Sequence, residues 1–182
     1  MTETRWKIFV YSCLIFALSW MSVSAALHKP SIQNEISAPA KGFYAPDFML
    51  DDLYGDSFTL SDHLGQPILL TLWASWCSPC KAEMPAFNQV YQELGPEKVL
   101  VLGVNVTSQD DLVNVKAFVE ANKLNFPILM DIQGEVADLY RLRGLPMTFF
   151  IDSKGVITDI VVGGPMSAGA VRSIFNELLQ EK

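Results

Sequence analysis

Two apolar runs of strand length, separated by a stretch with helical periodicity, constrain the fold of this chain more than any other feature. The first run covers residues 68–74 and the second covers 99–106, and neither shows the polar alternation of a half-exposed strand. Runs that are apolar on both faces are typical of central strands in a sheet covered by helices. Between them Met84, Phe87 and Val90 recur at helical spacing. The order strand, helix, strand predicts a βαβ unit.

The flanking sequence adds antiparallel elements to this unit. Residues 48–60 read as a β-hairpin with a glycine-containing turn, and residues 147–162 read as a second hairpin that turns at 152–155. The predicted fold is therefore α/β, a mixed central sheet flanked by helices, with an extra N-terminal β-hairpin. The remaining predicted elements are a helix over 112–121, a short strand over 126–130, a helix over 134–142 and a final helix over 168–179.

Residues 1–27 have the pattern of an export signal. Arg5 and Lys7 precede a run without charged side chains from residue 8 to 27, and small residues close it. The segment Val23-Ser24-Ala25 offers a cleavage site, but the run also has the ~20 residues that a membrane-spanning helix needs. Both a cleaved signal peptide and a retained anchor, in contact with the membrane through residues 8–27, stay open. The two cations predict that everything after this run is delivered outside the cytoplasm.

The rest of the chain is predicted to be one domain behind a linker. Residues 28–42 are polar, contain Pro30 and Pro39 and show no periodicity, so they read as a tether, and residues 43–182 form the domain. A chain of 182 residues holds enough apolar material for one core. Its net charge is −7, and its Lys and Arg residues form no basic stripe, which argues against a nucleic-acid partner.

Two cysteines carry the predicted chemistry. Cys13 lies in the export segment, which leaves Cys77 and Cys80 in the domain. Cys77 stands where an apolar strand gives way to a helix, and the unpaired N–H groups and dipole of a helix N-terminus stabilise a thiolate. One turn can bring the two sulfurs within bonding distance, and Pro79 suits the start of a helix. We expect Cys77 to be the attacking nucleophile and Cys80 the resolving thiol.

Two structural interpretations of the cysteine pair compete with a redox role. A zinc site needs two further ligands, and the domain offers only His63 besides carboxylates. A purely structural disulfide across so short a loop constrains the unfolded chain least, so its entropic benefit is small. The sequence therefore favours a redox-active Cys77–Cys80 disulfide, with no metal and no bound cofactor.

Residues 72–81, LWASWCSPCK, and 144–152, GLPMTFFID, resemble the TlpA/ResA group of extracytoplasmic thioredoxin-like proteins. The likeness spans about residues 43 to 180 and includes the hairpin before the first long strand. It implies a thioredoxin-like fold and a protein-disulfide reductase, located in the periplasm or on the outer face of the cytoplasmic membrane. Its implied substrates are exported proteins that contain disulfides, with cytochrome c maturation as the best-known task of the group. Electrons would arrive from a membrane thiol carrier.

The resemblance also implies roles for residues around the cysteines. Pro146 is expected to be cis and to face the pair, which leaves the backbone of Leu145 free to pair with an extended substrate. Glu83 matches the buried acid that exchanges a proton with the thiols in ResA-like reductases. The alternative for Glu83 is a carboxylate that only complements the helix dipole. Ordinary thioredoxins carry a buried aspartate where this chain has Thr71, which makes Glu83 more important.

Trp76, Ser78 and Pro79 complete the predicted substrate-binding set. Trp73 is expected either to pack against the sheet or to contact the substrate, and Trp76 is the stronger candidate for a surface position. Two other functions are compatible with a thioredoxin-like fold, a thiol peroxidase and a copper-handling protein. A thiol peroxidase needs a proline and a Thr or Ser closely before the peroxidatic cysteine, but residues 72–76 contain no proline. A copper-handling protein of the Sco type uses wider cysteine spacing and a later histidine, and none follows His63.

Overall fold

Strand β3 (Ile68–Trp73) lies at the centre of the computed structural model, which describes residues 37–180. It pairs in parallel with β4 (Leu100–Asn105) and antiparallel with β6 (Met147–Ile151). Every residue of these three strands is buried. Because helices and the N-terminal hairpin cover both faces of the sheet, these strands are mostly apolar, as predicted, and their polar residues Thr71, Asn105 and Thr148 are buried as well.

The predicted fold class is confirmed. The central sheet has the order β5-β4-β3-β6-β7, and a separate two-stranded sheet pairs β1 with β2. The other elements are β1 (Met49–Asp51), β2 (Ser57–Thr59), a 3-10 turn (Leu60–His63), α1 (Ser78–Leu94), a 3-10 turn (Thr107–Gln109), α2 (Leu112–Ala121), β5 (Ile128–Met130), α3 (Glu135–Leu139), β7 (Ile157–Val162) and α4 (Ala168–Gln180).

The sheet separates two hydrophobic clusters. On one face, α1, α2 and α4 contribute side chains such as Phe87, Val115 and Phe175. On the other face, α3 and the hairpin contribute side chains such as Val136 and Phe58. The residues of β3 alternate between the two clusters, so this strand is anchored from both sides. That anchoring holds its carboxyl end, which leads directly to the cysteines, in a rigid frame.

Helix α1 begins at Ser78, directly after Cys77, as expected for a cysteine at the junction of strand and helix. One helix is shorter than predicted. Helix α3 ends at Leu139 rather than at Leu142. Arg141 adopts a positive φ of 50°, and the N–H of Leu142 donates to the carbonyl of Ala137 (2.8 Å), a hydrogen bond that closes the helix early.

The predicted export segment (1–27) and most of the predicted linker lie outside the described residues. Of the linker, the described part is held against the domain: Ser37 forms a bridge with Tyr44, and the N–H of Gly42 donates to the carbonyl of Ile157 (2.8 Å). The division of the chain at these boundaries remains a prediction. Within residues 37–180, no helix combines the length and apolar character needed to cross a membrane.

Candidate active site

Cys77 and Cys80 form a disulfide at the start of α1. Cys77 is the N-cap of the helix, and its sulfur accepts a hydrogen bond from the N–H of Cys80 (3.3 Å). Exposure distinguishes the two residues, because 5% of Cys77 is exposed and 0% of Cys80. Cys77 also lines the adjacent groove, whereas Cys80 does not. Cys77 is therefore the sulfur that a substrate can approach.

A groove of about 540 Å³ opens beside Cys77. Its walls come from the turn before α1, the 3-10 turn after β4 and the loop before β6. Four of the predicted substrate-binding residues line it, and buried Pro146 follows directly after the last of them. The lining residues are Trp76, Cys77, Ser78, Pro79, Gln109, Leu142, Arg143, Gly144 and Leu145.

Sequence reasoning missed Gln109, Leu142 and Arg143 as members of this groove. Leu142 and Arg143 stand directly before the GLP motif, so the start of that motif could have pointed to them. Gln109 carries no such signal, because it reaches the groove only through the pairing of β4 with β3.

The loop before β6 presents backbone groups beside the cysteines. The Leu145–Pro146 peptide bond is cis, as the resemblance implied. The carbonyl of Pro146 accepts a hydrogen bond from the N–H of Gly163 (2.8 Å). Within residues 37–180 the N–H and carbonyl of Leu145 have no hydrogen-bond partner. Leu145 thus has a free backbone donor and acceptor at the groove, the arrangement that an extended chain pairs with.

Glu83 is buried one turn after Cys80, with 1% of the residue exposed. Its Oε2 accepts a hydrogen bond from the N–H of Met166 (3.1 Å), while its Oε1 has no partner among the described residues. Burial raises the pKa of Glu83 from 4.5 to about 7, although the Met166 hydrogen bond opposes this shift. A carboxyl group that ionises near neutral pH suits proton exchange with a thiol better than dipole compensation at the surface.

Gly164 leaves room for the carboxylate of Glu83. A Cβ atom at Gly164 would lie 2.6 Å from Glu83 Oε2 and 3.1 Å from Pro146 Cγ. The loop whose Met166 N–H donates to Glu83 therefore also packs against Glu83 at Gly164, where there is no space for a side chain. Sequence reasoning did not identify Gly164, because its neighbours come from two distant segments.

A neutral pair occupies the place of the buried aspartate of ordinary thioredoxins. Thr71 is fully buried, and its Oγ1 accepts a hydrogen bond from the Oγ1 of Thr148 on β6 (3.0 Å). Trp73 is also fully buried, whereas 56% of Trp76 is exposed. The two tryptophans therefore differ as expected, one in the core and one at the groove.

A second carboxylate, which sequence reasoning missed, holds the turn before Cys77. Asp110 accepts hydrogen bonds from the N–H and Oγ of Ser75, from the side chain of Asn105 (2.8 Å) and from the N–H of Asp111 (2.8 Å). Partial burial acts to raise the pKa of Asp110, but these hydrogen bonds together lower it below its ordinary value. Beside it, Trp76 Nε1 donates to the carbonyl of Gln109 (2.8 Å).

His63, considered above as a metal ligand, stacks on Phe58 with ring centroids 4.2 Å apart. Phe58 lies in the hairpin sheet, whereas the cysteines follow the central strand β3. No group of three or more His, Cys, Asp or Glu side chains that could hold a metal ion occurs within residues 37–180.

Comparison with known proteins agrees with this geometry. The AhpC/TSA family matches residues 42–160. The thiol-disulfide oxidoreductase ResA of Geobacillus kaustophilus is 40% identical over 130 residues, 71% of this chain and 74% of that protein. The thioredoxin-like protein YneN of Bacillus subtilis is 44% identical over 68% of this chain and 72% of its own length. The crystal structure of StoA from Bacillus subtilis superposes with a TM-score of 0.61 at 33% identity, covering 70% of this chain and 95% of StoA.

The fold, the disulfide at the helix start and these relatives agree on one conclusion. The chain belongs to the AhpC/TSA family and, within it, to the ResA-like thiol-disulfide oxidoreductases.

Proposed function

We propose that this enzyme reduces disulfide bonds in exported proteins, with Cys77 as the nucleophile and Cys80 as the resolving thiol. The observation that carries the proposal is the asymmetry of the pair: Cys77 faces the groove and Cys80 is fully buried. A substrate sulfur can reach Cys77. Cys80 is inaccessible to the substrate, so it can react only with the Cys77 sulfur next to it. The free backbone of Leu145 adds a place where an extended substrate segment pairs.

The reaction consists of two thiol-disulfide exchanges. In the reduced enzyme the Cys77 thiolate attacks one sulfur of the substrate disulfide, that bond breaks, and the departing substrate thiolate takes up a proton. Cys80 then loses its proton and attacks the Cys77 sulfur, the mixed disulfide between Cys77 and the substrate breaks, and the second substrate thiolate leaves and takes up a proton. Two electrons have passed to the substrate, and the enzyme holds the Cys77–Cys80 disulfide. A dithiol protein of the membrane returns two electrons and restores the reduced state.

Glu83 is the proposed proton acceptor for Cys80. Residues three apart on a helix lie on the same face, which places Glu83 on the side of Cys80. A carboxyl group with a pKa of about 7 is partly ionised at neutral pH, so it can accept the thiol proton and later return it. The neutral Thr71–Thr148 pair offers no ionisable alternative at the centre of the sheet.

The site of action and the substrate are also part of the proposal. The export pattern of residues 1–27 supports a position outside the cytoplasm, in the periplasm or on the outer face of the membrane. Disulfides persist in such compartments, so a reductase there has substrates. Apocytochrome c is the candidate that the resemblance to the TlpA/ResA group suggests. Trp76, Ser78 and Pro79, which line the groove, are the proposed contacts for the substrate together with Leu145 and Pro146.

The reduction potential of the Cys77–Cys80 pair tests the direction. The full-length chain in detergent, with Cys13→Ser so that only the pair titrates, is equilibrated with glutathione or dithiothreitol buffers. A potential near or below the ~ −270 mV of thioredoxin supports a reductase, whereas one close to the ~ −120 mV of DsbA overturns the proposal in favour of disulfide donation. Cys80→Ser should trap a mixed disulfide with substrate, and Cys77→Ser should not. Rapid peroxide consumption would instead indicate a thiol peroxidase.

A further inference from the structure

We infer that Arg143 makes the groove selective for disulfide-containing segments that carry a carboxylate close to the reacting cysteine. This inference rests on the proposed function, because it concerns the substrate class of the same site. Among the residues that line the groove, Arg143 is charged and the others are neutral. The remaining walls combine apolar side chains such as Trp76 and Leu142 with the uncharged polar side chains of Ser78 and Gln109.

The guanidinium of Arg143 is available to a ligand. Arg143 is exposed, and within residues 37–180 it forms no ion pair, hydrogen bond or ring contact. The chain as a whole carries a net charge of −7, so the attraction of an anionic substrate to this protein depends on a local cation such as the one at the groove. An unpaired cation at the mouth of a groove attracts anionic ligands and repels cationic ones.

The position of Arg143 in the loop predicts where along the substrate segment the carboxylate should lie. Arg143 lies two residues before Leu145, whose free N–H and carbonyl are the proposed pairing groups for an extended substrate. An extended chain rises ~3.3 Å per residue, so two residues correspond to about 7 Å along a paired strand. We take the substrate cysteine that Cys77 attacks to lie opposite Leu145, so the long arginine side chain can reach a substrate residue about two positions from that cysteine.

Other charged groups near the groove do not cancel this preference. Asp110 adjoins Gln109, but its oxygens accept four hydrogen bonds from Ser75, Asn105 and Asp111, and it is not among the lining residues. Arg141 belongs to the same loop and is also exposed, yet it does not line the groove. Arg141 therefore provides a control with the same charge and nearly the same place in the chain.

The expected preference is modest, because the ion pair is exposed to solvent. Exposed pairs change affinity by about 1.5- to 5-fold, so a comparison of an acidic with a basic peptide, which combines attraction and repulsion, should give about 3- to 10-fold. Salt screens such interactions, and the preference should shrink strongly between 20 mM and 0.5 M salt.

The test uses three disulfide peptides that differ only two residues from one cysteine, where they carry Glu, Gln or Lys. The reduced full-length enzyme with Cys13→Ser is mixed with an excess of each peptide, and the second-order rate constant of the single turnover that oxidises the enzyme is measured at low and high salt. We expect the order Glu, Gln, Lys for the wild type and for Arg141→Gln. Arg143→Gln should remove most of the difference between the Glu and Lys peptides, and Arg143→Glu should reverse the order.

The outcomes separate this inference from the proposed function. If the Gln peptide is reduced but the wild type handles the Glu and Lys peptides equally, the inference about Arg143 is wrong and the reductase proposal stands. The inference is also wrong if Arg141→Gln changes the ratio as much as Arg143→Gln does. If no peptide is reduced, the proposed function is wrong, and so is this inference, which depends on it. Because each variant is judged by a ratio between peptides, partial loss of folded protein does not affect the result.

Discussion

Asp110 and Glu83 are two carboxylates near the cysteine pair whose pKa values move in opposite directions. Asp110 holds Ser75, which lies just before Cys77, and its pKa is lowered although partial burial acts to raise it. Glu83 lies just after Cys80, and burial raises its pKa from 4.5 to about 7. The difference is in the hydrogen bonds: four donors point at Asp110 and one points at Glu83.

The comparison shows how one functional group can serve two purposes within one site. A carboxylate that accepts several hydrogen bonds stays ionised and acts as a structural acceptor. A carboxyl group that is removed from water and accepts few hydrogen bonds in exchange ionises only near neutral pH, where proton exchange with a thiol is useful. In this enzyme the first kind fixes the turn before Cys77, and the second kind lies beside Cys80.

The largest expected effect is the pH dependence that Glu83 gives to stability. Below about pH 4.5 the carboxyl group is protonated in both the folded and unfolded states and has no effect. As the pH rises to about 7, the folded state holds the proton more tightly than the unfolded state, so stability falls. A shift from 4.5 to about 7 corresponds to about 3 kcal/mol at pH 8.5.

Glu83→Gln should lack this loss, so the oxidised variant should resist urea about 3 kcal/mol better than the wild type at pH 8.5 and little better at pH 4.5. Urea unfolding at the two pH values, followed by tryptophan fluorescence, measures the difference. If the free energies of unfolding of the variant and the wild type differ by the same amount at both pH values, the raised pKa of Glu83 is contradicted.

The same change of carboxylate to amide at Asp110 should have the opposite sign. An amide has one acceptor oxygen and an NH₂ group, which would face the donors of Ser75 or Asn105, so at least one partly buried hydrogen bond is lost. We expect Asp110→Asn to destabilise the protein by about 2 kcal/mol at pH 8.5. The control is Asp62→Asn, at an exposed residue whose side chain has no hydrogen bond within the described part of the chain. A stabilising effect of Asp110→Asn would end the contrast with Glu83.

A smaller effect is expected at Gly164, which leaves the space that Glu83 occupies. The new methyl group of Gly164→Ala would meet Glu83 Oε2 at 2.6 Å and Pro146 Cγ at 3.1 Å. Crowding of this kind should cost about 1 to 2 kcal/mol. Gly169→Ala is the matched control, because the nearest atom would lie 3.9 Å away and alanine favours the helix. Combining Gly164→Ala with Glu83→Ala should recover part of the loss, and strict additivity would show that the two positions are not coupled.

Much of the fold could be predicted because its signals are local. The apolar runs over 68–74 and 99–106 became β3 and β4, trimmed by one residue at one or both ends. Helix α2 occupies residues 112–121 as predicted. These patterns reflect backbone periodicities that act between neighbouring residues. Helix α3 was predicted too long because its end depends on the left-handed conformation of Arg141, which side-chain periodicity does not reveal.

The sequence by itself determined the class of chemistry. Cys77 and Cys80 are three apart at a junction between strand and helix, and a single helical turn suffices to bring their sulfurs together. Only the tertiary structure decided the environment of that pair. Ser75 meets Asp110 across 35 positions and Glu83 meets Met166 across 83, while Arg143 reaches the groove through a loop that follows α3. The pKa of a carboxyl group and the charge of a groove depend on solvent exclusion and on donors from distant segments, and no local pattern specifies those.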